Sequence, residues 1–226
     1  MAVVRLEDLD DTGDGRRFSP SAARNRGDIL EVLRRVLDGS SSVFEIASGT
    51  GEHAVHFTAA LPRIRWQPTD RDAEALLSIE AWRREQSHDR ILPPKHVDVL
   101  EVAAMPDDER LASFGMHDAI VAINFFHITP WSACEAFVRV AASLLRPGGV
   151  TFVYGAFLRD DVVTAPSNLD FDARLRATDP AYGVRRLEDV QRIAFEVGLE
   201  LGEVLAMPNN NLGLVFTRVR LVTRGR

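Results

Sequence analysis

A glycine-containing loop in the first half of the chain is the clearest candidate for ligand chemistry. The segment Glu45-Ile-Ala-Ser-Gly-Thr-Gly51 lies between a short apolar run and a helical pattern. Gly49 and Gly51 have no side chain where the backbone must turn sharply and approach a ligand. The helix that follows presents free backbone N–H groups and a positive dipole end, which suit a carboxylate or a phosphate. We therefore predict a nucleotide-type binding loop at this position.

Carboxylates at successive predicted strands indicate which nucleotide this loop would hold. Asp70 follows Gly51 by nineteen residues, a spacing at which a carboxylate can accept hydrogen bonds from both ribose hydroxyls. Glu45 lies inside the strand before the loop, where it disfavours a pyrophosphate and suits the ammonium group of a methionine moiety. Asp98 ends the third predicted strand and could accept a hydrogen bond from an adenine amino group. Together these acids favour S-adenosylmethionine as the cofactor.

Two alternatives to this cofactor site stay open at the level of sequence. The pattern Gly49-x-Gly51-x-x-Ala54 also satisfies a dinucleotide fingerprint, so NAD(P) is a competing cofactor. In the other alternative, Glu45 and Asp70 are solvated strand ends with no ligand.

The segment after the fourth predicted strand contains the candidates for catalysis. Asn124 and His127 would lie at the carboxyl end of that strand, over the expected methyl position. Asn124 could position the substrate or the cofactor through its amide. His127 is the best candidate for a general base, because an ordinary histidine pKa near 6.5 suits proton transfer at neutral pH. In the structural alternative, His127 caps the next helix or packs under Trp131.

Further polar residues could contact the cofactor or the methyl acceptor. Arg24 and Asn25 open the first predicted helix, where Arg24 could bind the cofactor carboxylate or an anionic substrate, or be a solvated helix start. The remaining substrate candidates are Tyr154, Asn168, Tyr182 and Asn210. Asparagine is also a favoured turn residue and tyrosine a frequent core residue in strands, so both have structural explanations. His53 and His56 lack a third ligand nearby, and no metal site is predicted.

The elements that must position these residues alternate between strand-like and helix-like patterns. Apolar residues of the run 21–37 recur at helical spacing, and a short apolar strand at 43–47 follows. This alternation continues and predicts a mostly parallel sheet with helices on both faces. About six residues separate the last two strands, which is too few for a parallel crossover, so one strand is antiparallel. We predict a three-layer Rossmann-like sandwich with a seven-stranded sheet, the architecture of class I methyltransferases.

Two segments fall outside this core. Residues 1–17 are polar and rich in aspartate, and we predict a flexible tail before a methyltransferase domain at 18–226. About thirty residues, 156–186, connect the fifth strand to the next helix, whereas such connections usually take 2–6. We predict a lid here, because the segment follows the carboxyl end of a strand, where ligands bind in open α/β sheets. A decorative insertion is the alternative.

Composition excludes several classes of protein. The 226 residues, 46% hydrophobic and 27% charged, are typical of a globular domain. The net charge of -6 argues against nucleic-acid binding through a broad basic face. No apolar run approaches the length of a membrane span, and no signal peptide is recognisable. Cys134 is the single cysteine and fits a reducing compartment, so we expect a cytoplasmic protein whose oligomeric state is undetermined.

Several specific motifs are spread along nearly the whole chain. They are Ser21-Ala-Ala-Arg-Asn25, Glu45-Ile-Ala-Ser-Gly-Thr-Gly51, Trp66-Gln-Pro-Thr-Asp70, the run 123–134, Leu145-Arg-Pro-Gly-Gly149, Tyr154-Gly155, Thr164-Ala-Pro-Ser-Asn168, Asp179-Pro-x-Tyr-Gly183 and Met207-Pro-x-Asn-Asn-Leu212. Together they resemble one family, the poorly characterised methyltransferase-like group whose animal members are called methyltransferase-like protein twenty-six. The resemblance implies a class I methyltransferase fold and no particular substrate.

Two positions depart from the patterns that the resemblance implies. Ala47 occupies the place of the first glycine in many methyltransferase loops, and we expect alanine to preserve the turn if its φ is negative. Tyr182 replaces an expected tryptophan.

From the loop, the carboxylates and the resemblance, we predict methyl transfer from S-adenosylmethionine to oxygen or nitrogen of a small molecule. The alternatives are a non-catalytic binding protein of the same fold, or a methyltransferase acting on RNA or protein.

Overall fold

The computed structural model describes residues 9–11 and 13–219, and the predicted alternation of strands and helices is present throughout this range. The strands are β1 (Asp10–Asp11), β2 (Arg17–Phe18), β3 (Ser42–Ile46), β4 (Arg65–Asp70), β5 (Lys95–His96), β6 (His117–Ile123), β7 (Leu145–Leu158), β8 (Arg185–Arg186), β9 (Leu199–Met207) and β10 (Asn211–Arg218). The helices are α1 (Pro20–Val36), α2 (Glu52–Ala60), α3 (Ala73–Arg84), α4 (Val99–Ala104), α5 (Asp107–Phe114), α6 (Trp131–Leu144), α7 (Pro166–Thr178) and α8 (Leu187–Glu196).

The main sheet has the predicted topology. Its strand order is β5-β4-β3-β6-β7-β10-β9, with β8 paired to β7 beside this path. Neighbours from β5 to β7 are parallel, whereas β10 is antiparallel to both β7 and β9. The strand order changes direction between β3 and β6. The chain continues from β3 to β4 on one side of this point and from β6 to β7 on the other side. Ligands of open α/β sheets bind at such a point, outside the carboxyl ends of the strands.

Helices cover both faces of the sheet, which gives the predicted three layers. Alternate residues of β3 point to opposite faces. Val43 packs in a core with Leu33 of α1 and Phe57 of α2. Phe44 packs in the opposite core, with Phe137 of α6. Cys134 is buried in this second core, as expected for a small apolar side chain.

Several details of the elements differ from the sequence analysis. Two short helices, α4 and α5, fill the connection before β6, and no elements were predicted there. The motif at 145–149 forms a bulge within the long strand β7, since Leu145 pairs with His117 and Val150 pairs with Ala119.

The N-terminal segment is attached to α3 over its described part. The backbone N–H of Arg17 donates to Ser78 Oγ, and the Trp82 indole donates to the Arg17 carbonyl. Phe18 packs edge-on against Trp82 with ring centroids 4.8 Å apart. The predicted flexible tail at 1–17 therefore does not extend to Arg17, and residues 1–8 and 12 lie outside the described residues.

The long connection at 156–186 contains one helix and a small core of its own. Leu175 of α7 packs with Ala156, Tyr182 and Val184, apart from the two main cores. Asp172 Oδ1 accepts a hydrogen bond from the Val184 backbone N–H at 2.7 Å, which closes the segment on itself. Across the described residues, no helix combines the length and the apolar character needed to cross a membrane.

Candidate functional site

The loop between β3 and α2 is built on three positive φ angles. Gly49 and Gly51 have φ values of 59° and 92°, and Ala47 has a φ of 57°. The condition of a negative φ, under which alanine was expected to preserve the turn, is therefore not met at Ala47. An alanine in this left-handed region places Cβ too close to the following carbonyl oxygen, at a cost of roughly 1–2 kcal/mol. The turn is formed nonetheless, because the surrounding hydrogen bonds hold it.

The two glycines have different roles in this loop. A Cβ at Gly51 would lie 3.0 Å from the Ile79 Cα, so Gly51 allows α3 to pack closely against the loop. A Cβ at Gly49 would meet no atom within 4 Å. Gly49 therefore faces open space, into which a ligand can approach the backbone.

Asp70 connects this loop to the carboxyl end of the neighbouring strand β4. Its Oδ2 accepts a hydrogen bond from the Gly49 backbone N–H at 2.9 Å, and its Oδ1 accepts one from the Asp72 N–H at 2.9 Å. Burial raises the pKa of this carboxyl group, although both backbone hydrogen bonds oppose the rise. Asp70 thus lies at the end of β4 as predicted and is hydrogen-bonded to the glycine-containing loop, a contact that was not predicted.

Glu45 is a second carboxyl group beside the loop, and only 1% of it is exposed. Its Oε2 accepts a hydrogen bond from the Trp66 indole N–H at 2.9 Å. Burial raises its pKa to about 7, against the opposing effects of Trp66 and Ser48, and the charge of Asp70 adds to the rise. An unpaired carboxylate is costly at such depth, so a cationic group at this position would favour its ionised form.

Asp98 is bound to its own helix rather than placed at a strand end. The strand β5 ends at His96, two residues earlier than predicted, and Asp98 is the N-cap of α4. Its Oδ1 accepts a hydrogen bond from the Leu100 N–H at 2.9 Å, and its Oδ2 lies 3.8 Å from the Arg71 guanidinium. The residue still lies beside Asp70, since the Val97 N–H donates to the Asp70 carbonyl.

Asn124 and His127 follow β6 as predicted and lie where the parallel strands of the sheet have their carboxyl ends, the carboxyl edge of the sheet. Asn124 has a φ of 58°, a conformation that asparagine tolerates, and its N–H donates to the Tyr154 carbonyl at 2.8 Å. His127 lies in a 3-10 turn, 4% exposed, with its ring edge-on to Phe171 of α7 at 5.1 Å.

The environment of His127 corrects the pKa assumed from sequence. Burial, together with the smaller effect of the Arg185 charge, lowers its pKa to about 4. The Nδ1 atom is buried without a hydrogen-bond partner among the described residues. A Cβ at Gly155 would lie 3.2 Å from this atom, so the glycine leaves room beside the ring. The imidazole is neutral at pH 7 and a weaker base than an exposed histidine.

Arg185 fixes the position of this turn. Its guanidinium donates to the carbonyls of Phe126, Thr129 and Ala181. The His127 carbonyl in turn accepts from the Gly183 N–H at 3.0 Å. These bonds attach the predicted lid segment to the turn that carries His127.

A polar cluster lies at the same carboxyl edge of the sheet, between α1, β7 and β10. The Tyr154 hydroxyl accepts a hydrogen bond from Asn211 Nδ2 at 3.0 Å. Asn25 of α1 is buried, and its Oδ1 lies 2.8 Å from His53 Nε2. Arg24 is exposed on α1, and its charge lowers the Tyr154 pKa slightly, while burial raises that pKa overall.

The other predicted substrate residues lie in and around the 156–186 segment. Asn168 of α7 donates from Nδ2 to the Asn210 carbonyl at 3.0 Å, and Asn210 Nδ2 is 3.1 Å from Ser167 Oγ. This pair joins the segment to the turn between β9 and β10, where Asn209 and Asn210 both have positive φ. Tyr182 is 5% exposed in the small core of the segment, and burial raises its pKa.

Sequence analysis missed several residues of this edge. Glu52 is buried at the start of α2, where its Oε2 accepts from the Ser19 N–H at 2.5 Å and from Thr50 Oγ1 at 3.0 Å. An acid in the first turn of a helix is a recognisable sequence signal, but its contact with Ser19 is not. His53 was considered only as a metal candidate, and its contact with Asn25 was not predicted. Among the described residues, no cluster of histidine, cysteine or acidic side chains is arranged to hold a metal ion.

Comparison with known proteins places this geometry in a familiar fold. The chain is similar to a putative O-methyltransferase from Nostoc punctiforme PCC 73102, with a TM-score of 0.72 and 18% identity over 90% of this chain and 58% of that one. An O-methyltransferase family protein from Burkholderia thailandensis gives a TM-score of 0.71 and 17% identity over 88% and 57% of the chains. Human N-acetylserotonin methyltransferase, solved in complex with SAM, gives a TM-score of 0.68 and 12% identity over 88% and 53%.

These similarities establish the fold of the chain, which spans a little over half the length of each of the three proteins. The sheet order and the single antiparallel strand are those of a Rossmann-like methyltransferase. A sequence-family model for proteins of unknown function, DUF938, matches residues 16–218. The chain therefore belongs to the DUF938 family of proteins of unknown function, and it has the Rossmann-like methyltransferase fold.

Proposed function

We propose that the chain is a methyltransferase that uses S-adenosylmethionine and methylates oxygen or nitrogen of a small molecule. The observation that carries the proposal is the pairing of Asp70 with the Gly49 backbone, next to the buried acid Glu45. Solved proteins of the same fold include methyltransferases with SAM or SAH bound. The narrower resemblance to the group named after methyltransferase-like protein twenty-six remains a prediction.

The residues present fit such a cofactor. Gly49 leaves open space in front of the loop, and Asp70 at the end of β4 offers acceptor oxygens for ribose hydroxyls. Glu45 is a buried carboxylic acid that an ammonium group would ionise and pair with. Asp98, whose neighbour Val97 donates to the Asp70 carbonyl, would accept a hydrogen bond from the adenine amino group, and the exposed Arg24 would bind the cofactor carboxylate. Ala47 and Gly51 determine the backbone conformation of the loop that would receive the cofactor.

Bound there, the cofactor would supply a methyl group on a sulfonium, the carbon that the acceptor attacks in line. The chain would align the acceptor and exclude water. Asn124 would orient the reacting groups through its amide. His127, neutral at pH 7, would accept a proton from the acceptor where one must leave. Asn25, Tyr154, Asn168, Tyr182 and Asn210 would surround the acceptor, with 156–186 as a lid.

The net charge and the enclosing segment support a small acceptor rather than RNA or protein. The proposal includes a cytoplasmic location, in keeping with a single buried cysteine. The test is a screen in which the protein is incubated with a cell extract and S-adenosylmethionine labelled on its methyl group. We expect label in the small-molecule fraction.

Other outcomes of this screen, and of calorimetric titrations with each cofactor, identify different functions. Label in RNA or protein would overturn the small-molecule acceptor. Cofactor binding without any transfer of label would favour the non-catalytic alternative. Tight binding of NADH without binding of S-adenosylmethionine would overturn the proposal as a whole.

A further inference from the structure

A buried serine hydroxyl connects the N-terminal segment to the glycine-containing loop. Ser78 of α3 is 1% exposed, and its Oγ donates a hydrogen bond to the Thr50 carbonyl at 2.8 Å. The same oxygen accepts one from the Arg17 backbone N–H at 3.0 Å. A carbonyl can only accept and a backbone N–H can only donate, so the partners themselves fix both directions. Ser78 therefore bonds at once to Arg17 and to the residue between the two glycines of the loop.

Glu52 makes a second connection between the same two segments. It is 3% exposed at the start of α2, and its Oε2 accepts hydrogen bonds from the Ser19 N–H at 2.5 Å and from the Thr50 hydroxyl at 3.0 Å. Ser78 thus holds the Thr50 carbonyl, while Glu52 holds the Thr50 side chain. Both side chains also hold the backbone of residues 17–19, which we call the N-terminal strap.

The N-terminal strap and the loop are both packed against α3. The Trp82 indole, one helical turn after Ser78, donates to the Arg17 carbonyl at 3.0 Å. On the loop side, a Cβ at Gly51 would lie 3.0 Å from the Ile79 Cα, so the two backbones are in close contact. Closely packed contacts transmit strain, so a displacement of the strap on α3 reaches the loop through the two shared side chains.

We infer that the N-terminal strap is part of the cofactor site, and that Ser78 and Glu52 are positioning residues that couple strap docking to the loop conformation. This inference rests on the proposed function, in which the loop receives S-adenosylmethionine. Such coupling is reciprocal: a docked strap raises the affinity of the loop for the cofactor, and a bound cofactor stabilises the docked strap. Release of the strap therefore lowers the affinity without the loss of a direct contact. A strap that only stabilised the fold would leave the affinity unchanged.

Calorimetric titration with S-adenosylmethionine measures this coupling from the loop side. Ser78→Ala removes both hydrogen bonds of the hydroxyl and should raise the Kd by about fivefold or more. Ser143→Ala, the matched control, removes a hydroxyl that donates to the Val140 carbonyl in α6, and should leave the Kd unchanged. Glu52→Met should also raise the Kd, and Glu52→Gln should raise it less, because an amide oxygen can accept both hydrogen bonds. An unchanged Kd in Ser78→Ala would contradict the positioning role.

Changes in the strap itself separate coupling from a local effect of Ser78 on the loop. Arg17→Pro removes the backbone N–H that donates to Ser78 and leaves every residue of the loop in place. We expect the Kd to rise as in Ser78→Ala, whereas Arg17→Ala, which retains this N–H, should have the smaller effect. In the wild type, saturating S-adenosylmethionine should slow hydrogen exchange of the Arg17 and Ser19 amides by about fivefold or more. The wild-type Kd in Arg17→Pro, or strap exchange that bound cofactor does not change, would overturn the inference.

Hydrogen exchange without cofactor keeps this test independent of the proposed function. The Gly49 and Gly51 N–H groups of the loop donate to Asp70 and to the Ser48 carbonyl. Arg17→Pro should speed the exchange of these two amides in the cofactor-free protein, measured by NMR, and leave exchange in α6 unchanged. If S-adenosylmethionine does not bind, the proposed function fails, while the loop amides still decide whether strap and loop are coupled. Loop amides that exchange at the wild-type rate in Arg17→Pro would show that the two segments are independent and refute the inference.

Discussion

Asp70 and Gly49 lie on neighbouring connections of the sheet and are joined by a hydrogen bond of 2.9 Å from the Gly49 N–H to Asp70 Oδ2. The Asp72 N–H uses the second carboxylate oxygen, so one side chain holds both the glycine-containing loop and the start of the next helix. A ligand on this loop would therefore depend on Asp70 for the backbone shape as well as for direct contacts.

The first prediction concerns Asp70→Asn. Asparagine has the same shape but one acceptor oxygen and no charge, so at least one of the two backbone hydrogen bonds is lost. Hydrogen bonds to charged groups contribute about 1.5–3 kcal/mol, so we expect the Kd for S-adenosylmethionine to rise by roughly tenfold to a hundredfold by calorimetry. The matched control is Asp72→Asn, because asparagine caps a helix as well as aspartate does. An unchanged Kd for Asp70→Asn would remove Asp70 from the site.

Ala47→Gly should stabilise the protein. The left-handed φ of 57° is strained for alanine and not for glycine. We expect the free energy of unfolding to rise by about 1 kcal/mol in urea titrations. Asn209→Gly is the control, because its φ is 58° but asparagine tolerates that region, so the gain should be smaller. A loss of stability in Ala47→Gly would show that the alanine methyl group contributes packing that outweighs the strain.

Glu45 should make stability fall as pH rises. Its pKa in the folded protein is about 7, above the ordinary value of 4.5. Between these values the folded state retains a proton that the unfolded state has released, so the free energy of unfolding decreases with rising pH and levels off above about 7. The difference between wild type and Glu45→Gln isolates this effect in urea titrations at several pH values. The exposed Glu200→Gln is the control, and a difference independent of pH would contradict the burial of Glu45.

His127 should make the free energy of unfolding fall as pH decreases in the acid range. Its folded pKa of about 4 lies below the ordinary value of 6.5, so the unfolded state binds a proton first as pH falls. Its contribution to stability is complete above about 6.5 and decreases as pH falls toward 4. His127→Gln should reduce this loss, whereas the exposed His96→Gln should not. In addition, methyl transfer should show no ionisation near 6.5. A rate that follows an ionisation at that pH would contradict the neutral imidazole.

Local patterns in the sequence were sufficient for the sheet topology and for the loop. The spacing of Gly49, Gly51 and Asp70 predicts that the loop and the carboxylate follow adjacent parallel strands, which end at one edge of the sheet. The signals for α5 were also present, since three acids occupy its first turn, but its apolar periodicity is weak. What the sequence could not provide depends on distant contacts or on backbone angles. The φ of Ala47 and the burial of His127 are examples, and Tyr154 meets Asn211 across a separation of 57 residues.

The most direct test of the central claim is a calorimetric titration of the wild-type protein with S-adenosylmethionine, and separately with NADH. We predict saturable binding of one S-adenosylmethionine per chain, weakened in Asp70→Asn and retained in Asp72→Asn. No binding of NADH is expected, because NADH has no ammonium group to pair with the buried Glu45, and the ionised form of Glu45 would repel a pyrophosphate on the loop. Saturable binding of NADH together with no heat from S-adenosylmethionine would contradict the account.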